Sequence, residues 1–210
     1  TQDLSAAVRM SVQSVSRPNS DFRGYMGTIA SGEISVGDRI RVNPSGRETR
    51  VKGFADFDGP RDSAIAGESV CLVLEDEVDI SRGDLLSSVV DPALVSDHVE
   101  VHLVWLAEEA MIPQRSYLLK IGSKEVRAHI DRLKYRIDIN SNEHVSAVTL
   151  GLNDIGICNI STVTPIGLDP YDLNRSTGAF VLIDRITNRT VGAGMIRHSL
   201  RRSENVQWQE

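Results

Sequence analysis

The segment Gly24-Tyr25-Met26-Gly27-Thr28-Ile29-Ala30-Ser31-Gly32-Glu33-Ile34-Ser35-Val36-Gly37-Asp38-Arg39-Ile40 decides the fold. Residues up to Ala30 suit a pleated strand, Gly32 interrupts it, and Val36-Gly37-Asp38 marks a second turn before a new strand begins at Arg39. The same punctuation recurs outward from there, at Asn43-Pro44-Ser45-Gly46, Asp58-Gly59-Pro60, Ala66-Gly67-Glu68 and Arg82-Gly83-Asp84. Between the turns lie β-branched runs at 8–15, 27–30, 39–42, 49–57 and 70–74. Short strands with a turn every ~8–12 residues predict a barrel or sandwich. Asn-Pro-Ser-Gly has tight-hairpin chemistry, because proline fixes φ at the second position and glycine supplies a positive φ at the end.

Residues 125–139 fit two patterns. Val126, Ile130, Leu133 and Ile137 have the 4-3-4 spacing of a helix stripe. The same stretch alternates as a strand in two registers, Val126/Ala128/Ile130 and Leu133/Tyr135/Ile137/Ile139, with the parity changing across Asp131-Arg132. The preference of Tyr135, Ile137 and Ile139 for pleated surfaces, with no capping box before the run, favours a strand bearing a β-bulge.

The chain has 210 residues, with 23 basic against 29 acidic side chains and 40% hydrophobic residues. That length fits one large domain or two of about 100 residues, and the composition supports buried cores rather than disorder. A net charge of −6 makes a poor polyanion binder, so no nucleic-acid partner is expected. No apolar run of about 18 residues exists, and Thr1-Gln2-Asp3-Leu4 lacks signal-peptide character; no membrane association and a cytoplasmic location are expected. A boundary falls near Val90-Asp91-Pro92, because proline cannot join a central ladder. Before it, residues 1–92 carry 10 basic and 15 acidic side chains; residues 93–210 carry 13 and 14. The predicted domains are thus 1–92 and 93–198, with a linker or tail over 199–210.

Reactive constellations are missing from the pattern. Cys71 and Cys158 each lie in an apolar run and read as small buried hydrophobes in a reducing compartment. His98 and His102 are four apart, but His98-Val99-Glu100-Val101-His102-Leu103-Val104-Trp105 alternates strictly, which places both on the polar face of a strand. Glu75-Asp76-Glu77-Val78-Asp79 lacks the spacing and central glycine of a calcium loop and reads as a solvated acidic loop, as does the pair Glu108-Glu109. Phosphate-binding P-loop, nucleophile-elbow, zinc-protease and kinase signatures are absent. No catalytic, cofactor-binding or metal-binding residue is assigned; the chain reads as a binding or coupling module.

Specific segments carry a resemblance. The opening stretch, Ala66-Gly67-Glu68-Ser69-Val70 and Ile80-Ser81-Arg82-Gly83-Asp84-Leu85-Leu86 resemble the second domain of translation-factor-type GTPases; Thr190-Val191-Gly192-Ala193-Gly194-Met195-Ile196 looks like the last strand of their third domain. This implies an all-β fold of two consecutive barrels, like domains II and III of elongation factor Tu. Residues 15–24, 74–84 and Asp169-Pro170-Tyr171-Asp172-Leu173-Asn174-Arg175-Ser176-Thr177-Gly178-Ala179-Phe180-Val181-Leu182-Ile183-Asp184-Arg185 are similar to the GTPase subunit of bacterial heteromeric sulfate adenylyltransferase. That family couples GTP hydrolysis to formation of adenosine 5′-phosphosulfate and pyrophosphate from ATP and sulfate, with a separate small subunit performing the adenylyl transfer. The resemblance implies a nucleotide-binding G domain before Thr1, where GTP and magnesium are expected. Residues 200–209 are similar to the linker of bifunctional, nodulation-associated members that continue into an adenylylsulfate kinase domain, which implies such a fusion in the parent.

Coupling by domain movement needs packed surfaces with differential contacts rather than reactive groups. Arg17, Asn19 and Arg23 are interface candidates toward the small subunit or the G domain, since guanidinium forks suit interface ion pairs. Asn174 and Arg175, in a loop before an apolar strand, are candidates of the same kind, whereas Asp184 and Arg185 read as a local turn. Two other readings stand beside this one: a tRNA-binding fragment of a translation elongation factor, and a stand-alone protein–protein adaptor.

Overall fold

The computed structural model describes residues 6–19, 22–55, 59, 61–138, 140–141 and 143–200. The chain runs β1 (Arg9–Asn19), β2 (Phe22–Ser31), β3 (Glu33–Ser35), β4 (Arg39–Asn43), β5 (Arg47–Phe54), β6 (Ser63–Ile65), β7 (Ser69–Leu74) and β8 (Leu85–Ser88). It continues through β9 (Leu94–Trp105), β10 (Ser116–Ile121), β11 (Lys124–Ile137), β12 (His144–Val145), β13 (Ile155–Leu168), the single-turn α1 (Arg175–Gly178), β14 (Ala179–Asp184) and β15 (Thr190–Ser199). The first barrel closes in the order β1-β2-β7-β5-β4-β8, and β3 pairs with β6 beside it. The second runs β10-β14-β15-β9-β13-β11 and is closed by β10 pairing with β11, while β12 adds to the outer end of β11. Two closed barrels are what the resemblance predicts, and they settle the turn pattern's choice between barrel and sandwich.

Strand alternation sends Met10, Val12, Tyr25, Ile29, Ile40, Val42, Val51, Leu72 and Leu86 into the first barrel. Leu103, Leu119, Ile130, Cys158, Ile160 and Leu182 fill the second, where Trp105 and Tyr117 meet edge-on at 5.8 Å. Each such large side chain contributes about 1.5–3 kcal/mol by leaving water. The turns behave as their chemistry requires: Gly37 (φ +91°) and Gly46 (φ +75°) occupy the left-handed region. The Asn43–Pro44 peptide is cis, and the Gly46 amide donates to the Val42 carbonyl to close the β4–β5 hairpin.

The ambiguous stretch is strand β11, and its register against β13 shifts between Ile130 and Arg132, which is the bulge the change of parity predicts. Ile139, the last residue of the second register, lies outside the described residues, as do Phe57 and, at the predicted turn, Asp58 and Pro60. One expectation is corrected. Cys158 is buried, but Cys71 is only half-buried, because Val70, Leu72 and Leu74 take the inward positions of β7 and leave Cys71 on the outer face. His98 and His102 fall on the outer face of β9, opposite the core residues Val99, Val101, Leu103 and Trp105. Glu75, Asp76, Glu77 and Asp79 are exposed, as are Glu108 and Glu109.

The β10–β11 turn, the end of β13 and α1 approach the first barrel, while the loops around 106–115 and 184–190 lie at the opposite end of the second.

Candidate functional site: the joint between the barrels

The loop after β13 is built locally before it acts at distance. Asn174 caps α1, its Oδ1 accepting from the amides of Ser176 (3.0 Å) and Thr177 (3.2 Å). The Tyr171 amide donates to the Ile196 carbonyl, and the Asn174 amide to Pro170. Gly178 lets the turn fold on itself, since a Cβ there would lie 2.5 Å from the Tyr171 Cα and 2.8 Å from the Asp169 carbonyl oxygen.

This loop presents Asp169 to the first barrel. Its carboxylate accepts from Arg9 through Nε (2.8 Å) and Nη2 (2.9 Å), and from the Thr177 hydroxyl at 2.6 Å. Arg9 spends its Nη1 on the carbonyls of Val8 (2.9 Å) and Asp91 (2.8 Å), the latter in the connection between barrels. Both side chains of the pair are below 8% exposed. A two-pronged guanidinium–carboxylate contact fixes angle as well as distance, and breaking a buried pair by removing one partner typically costs about 3–5 kcal/mol. Around it, Asn174 Nδ2 donates to Ser31 Oγ (2.9 Å), which in turn donates to the Ala7 carbonyl. The Ser123 amide donates to Ser11 Oγ at 3.3 Å, and Lys124 lies 3.8 Å from Asp84. These contacts tie the two closed sheets together across the joint.

The candidates read from sequence divide. Asn174 is committed to this joint. Arg175 is exposed, with its guanidinium 5.9 Å from the centre of the Tyr171 ring. Arg17 and Asn19 are exposed and Arg23 half-buried at the tip of the β1–β2 hairpin, well away from the joint. Asp184 shapes the β14–β15 turn by accepting from the amides of Ile186 and Thr187 and pairs with Arg115 at 2.6 Å; those amides, outweighing burial, hold its carboxyl below the usual carboxylate value. The tail from residue 201 onward lies outside the described residues. Arg9 and Asp169 were not singled out by sequence: they are 160 positions apart, and an arginine opening a strand of small and apolar residues is the one local signal.

The outer wall of the second barrel gathers polar groups without assembling a reaction centre. Asp131 Oδ2 accepts from the Ser161 hydroxyl and lies 3.5 Å from His98 Nε2. The carboxylate sits between hydroxyl and imidazole, so the histidine is not placed to deprotonate the serine. Buried Glu100 is held by Lys134 and Arg197, with His198 at 3.9 Å. Burial alone would raise its pKa, but the Lys134 hydrogen bond and charge, with His198 and Arg197, outweigh that and hold it below the ordinary value. Among the described residues no three His, Cys, Asp or Glu side chains gather as metal ligands, and no helix is long and apolar enough to cross a membrane.

Residues 98–197 match the GTP-eEF1A C-terminal domain-like family. The chain is 51% identical over 201 residues to the bifunctional enzyme NodQ of Rhizobium sp. (strain N33), covering 96% of this chain and 31% of that protein. It is 49% identical over 199 residues to sulfate adenylyltransferase subunit 1 of Shewanella woodyi, covering 95% of this chain and 42% of that protein. The chain thus spans about a third to two fifths of the length of these relatives. Sup35 bound to GDP superposes with a TM-score of 0.84 at 20% identity, over 95% of this chain and 49% of Sup35, which speaks to fold alone.

Proposed function

We propose a function for a chain that is, through both of its barrels, a relative of sulfate adenylyltransferase subunit 1 and of NodQ: it is the non-catalytic two-barrel portion of the GTPase subunit of a sulfate adenylyltransferase. In this reading it transmits the nucleotide state of a G domain, which binds GTP and magnesium, to the small subunit that makes adenosine 5′-phosphosulfate from ATP and sulfate. The observation that carries the reading is that likeness near 50% identity runs through both barrels and hence through the joint between them. A stiff joint is what such a transmitter needs, because a displacement imposed on one barrel reaches the far side of the other only if the two move together. The sulfate-assimilating parent is placed in the cytoplasm, and the bifunctional relative supports a fused adenylylsulfate kinase domain.

In this mechanism exposed Arg17 and half-buried Arg23 act at the hairpin tip, where their guanidinium groups meet carboxylates of the G domain or small subunit. The test uses the full-length parent assembled with its small subunit. Reversing both charges (Arg17→Glu, Arg23→Glu) should weaken assembly and lower GTP-stimulated, sulfate-dependent pyrophosphate release. Unchanged assembly and stimulation would remove the hairpin from the interface. A parent that releases no pyrophosphate from ATP in response to sulfate overturns the reading itself.

A further inference from the structure

We propose that the cleft beside the joint binds a small organic molecule carrying a phosphate or sulfate group. The cleft has a volume of about 360 Å³ and draws its walls from both barrels, which is within the range of small-molecule sites. Five polar side chains line it, Ser11, Thr28, Lys124, Ser176 and Thr177, and three of them, Lys124, Ser11 and Ser176, are donors free to serve a ligand.

Each of the three has capacity to spare. Lys124 lies 3.8 Å from Asp84 Oδ1, at the outer limit of an ion pair, and the other oxygen of Asp84 already accepts from the Ser81 amide. The ammonium group carries three protons and this one distant partner uses them poorly. Ser11 Oγ accepts from the Ser123 amide, so its own proton remains to donate. Ser176 is exposed at the cleft wall, and its hydroxyl has no partner among the described residues. By contrast, Thr177, also at the wall, has spent its hydroxyl on Asp169. A lysine and two hydroxyl donors lining one cleft suit an acceptor-rich anion, since hydrogen bonds to charged oxygens are the strong ones.

The remaining wall sets the rest of the ligand. Ala30, Leu85 and Ile121 add apolar lining from both barrels, and a bare inorganic ion would leave most of the volume unfilled. The occupant is therefore an ester of phosphate or sulfate with a compact apolar body. Because both barrels form the site, its occupation favours their docked arrangement by mass action. This inference does not depend on the function proposed above and is tested on the 210-residue chain alone.

The experiment is a titration of ¹⁵N-labelled protein at constant ionic strength with phenyl phosphate, phenyl sulfate, phenol and inorganic phosphate. Saturable shifts of the Gly67, Gly83 and Gly122 amides are expected with one or both esters, and the tighter ester identifies the anion. Phenol and inorganic phosphate should each bind at least tenfold more weakly. Lys124→Gln should weaken the better ester at least tenfold, and Ala30→Leu, which fills the cleft, should abolish its shifts while the Trp105 indole resonance stays in place. Should Lys124→Gln disturb folding, Ser176→Ala, at an exposed position, gives the same reading through a loss of about threefold. Non-saturable shifts, affinities unchanged by these substitutions, or phenol binding as well as the esters would overturn the proposal; inorganic phosphate binding as well as the esters would overturn the apolar half of it.

Discussion

Replacing Asp169 with alanine should be the most damaging single change at the joint. It removes the acceptor of two Arg9 bonds and one Thr177 bond and leaves a guanidinium buried, with only the Val8 and Asp91 carbonyls to hold it. Loss of one partner of a buried pair is worth roughly 3–5 kcal/mol. In a chain of this size, with the melting point moving about 2–4 °C per kcal/mol, that is a fall of about 6–20 °C. The measurement is urea unfolding followed by Trp105 fluorescence in a Trp208→Phe background, so that the buried core tryptophan is the sole reporter, with calorimetry beside it. The control is Glu48→Ala, which breaks the exposed contacts to Arg39 and Arg41 and should cost under about 1 kcal/mol. The double variant Arg9→Met/Asp169→Leu removes both charges at similar volume and should regain most of the loss, because burying two ions is itself expensive. An Asp169→Ala midpoint no lower than that of Glu48→Ala refutes the assignment of the joint's rigidity to this pair. So does a double variant as weak as the single.

Four further outcomes follow from the geometry. Asn174→Ala removes the α1 cap and the bridge to Ser31 together, and chemical denaturation should show a loss of about 1–2 kcal/mol; Gly178→Ala forces a Cβ into the backbone of Tyr171 and should cost about 1–3 kcal/mol or more. Glu100, whose folded pKa is depressed, contributes stability that is fully present above its unfolded value of 4.5 and drains away as pH falls through the lower folded value. Melting points taken between pH 6 and 3 should therefore decline less steeply in Glu100→Gln than in the parent, from a lower plateau. Burial pushes the Cys158 thiol up to about 12, so at pH 8 a thiol reagent should label native protein only at half-buried Cys71, and Cys158 only after denaturant is added.

The parts of the fold written in local chemistry were readable from the chain. Gly37 marked its turn because that corner requires a positive φ, and Asp38 completes it by accepting from the Ser35 amide. The change of parity at Asp131-Arg132 announced a bulge for the same reason, since alternation has period two and one inserted residue reverses it. What escaped depends on partners distant in sequence. Nothing near Arg9 points to Asp169, and α1 is one turn held by Asn174 with no hydrophobic stripe to reveal it. Cys71 was misjudged because an apolar run looks the same on either face until the barrel decides which face is inward. Asn174 was picked out as an interface residue, yet its side chain faces the chain's own first barrel.

Barrel closure limits how other molecules can take hold of this one. Where every rung of a wall is occupied by its neighbours, an incoming polypeptide finds no backbone to extend. The hairpin formed by β1 and β2 runs beyond that closure: among the described residues, β2 pairs with β7 from Tyr25 to Thr28. On the closed walls recognition is left to side chains and loops.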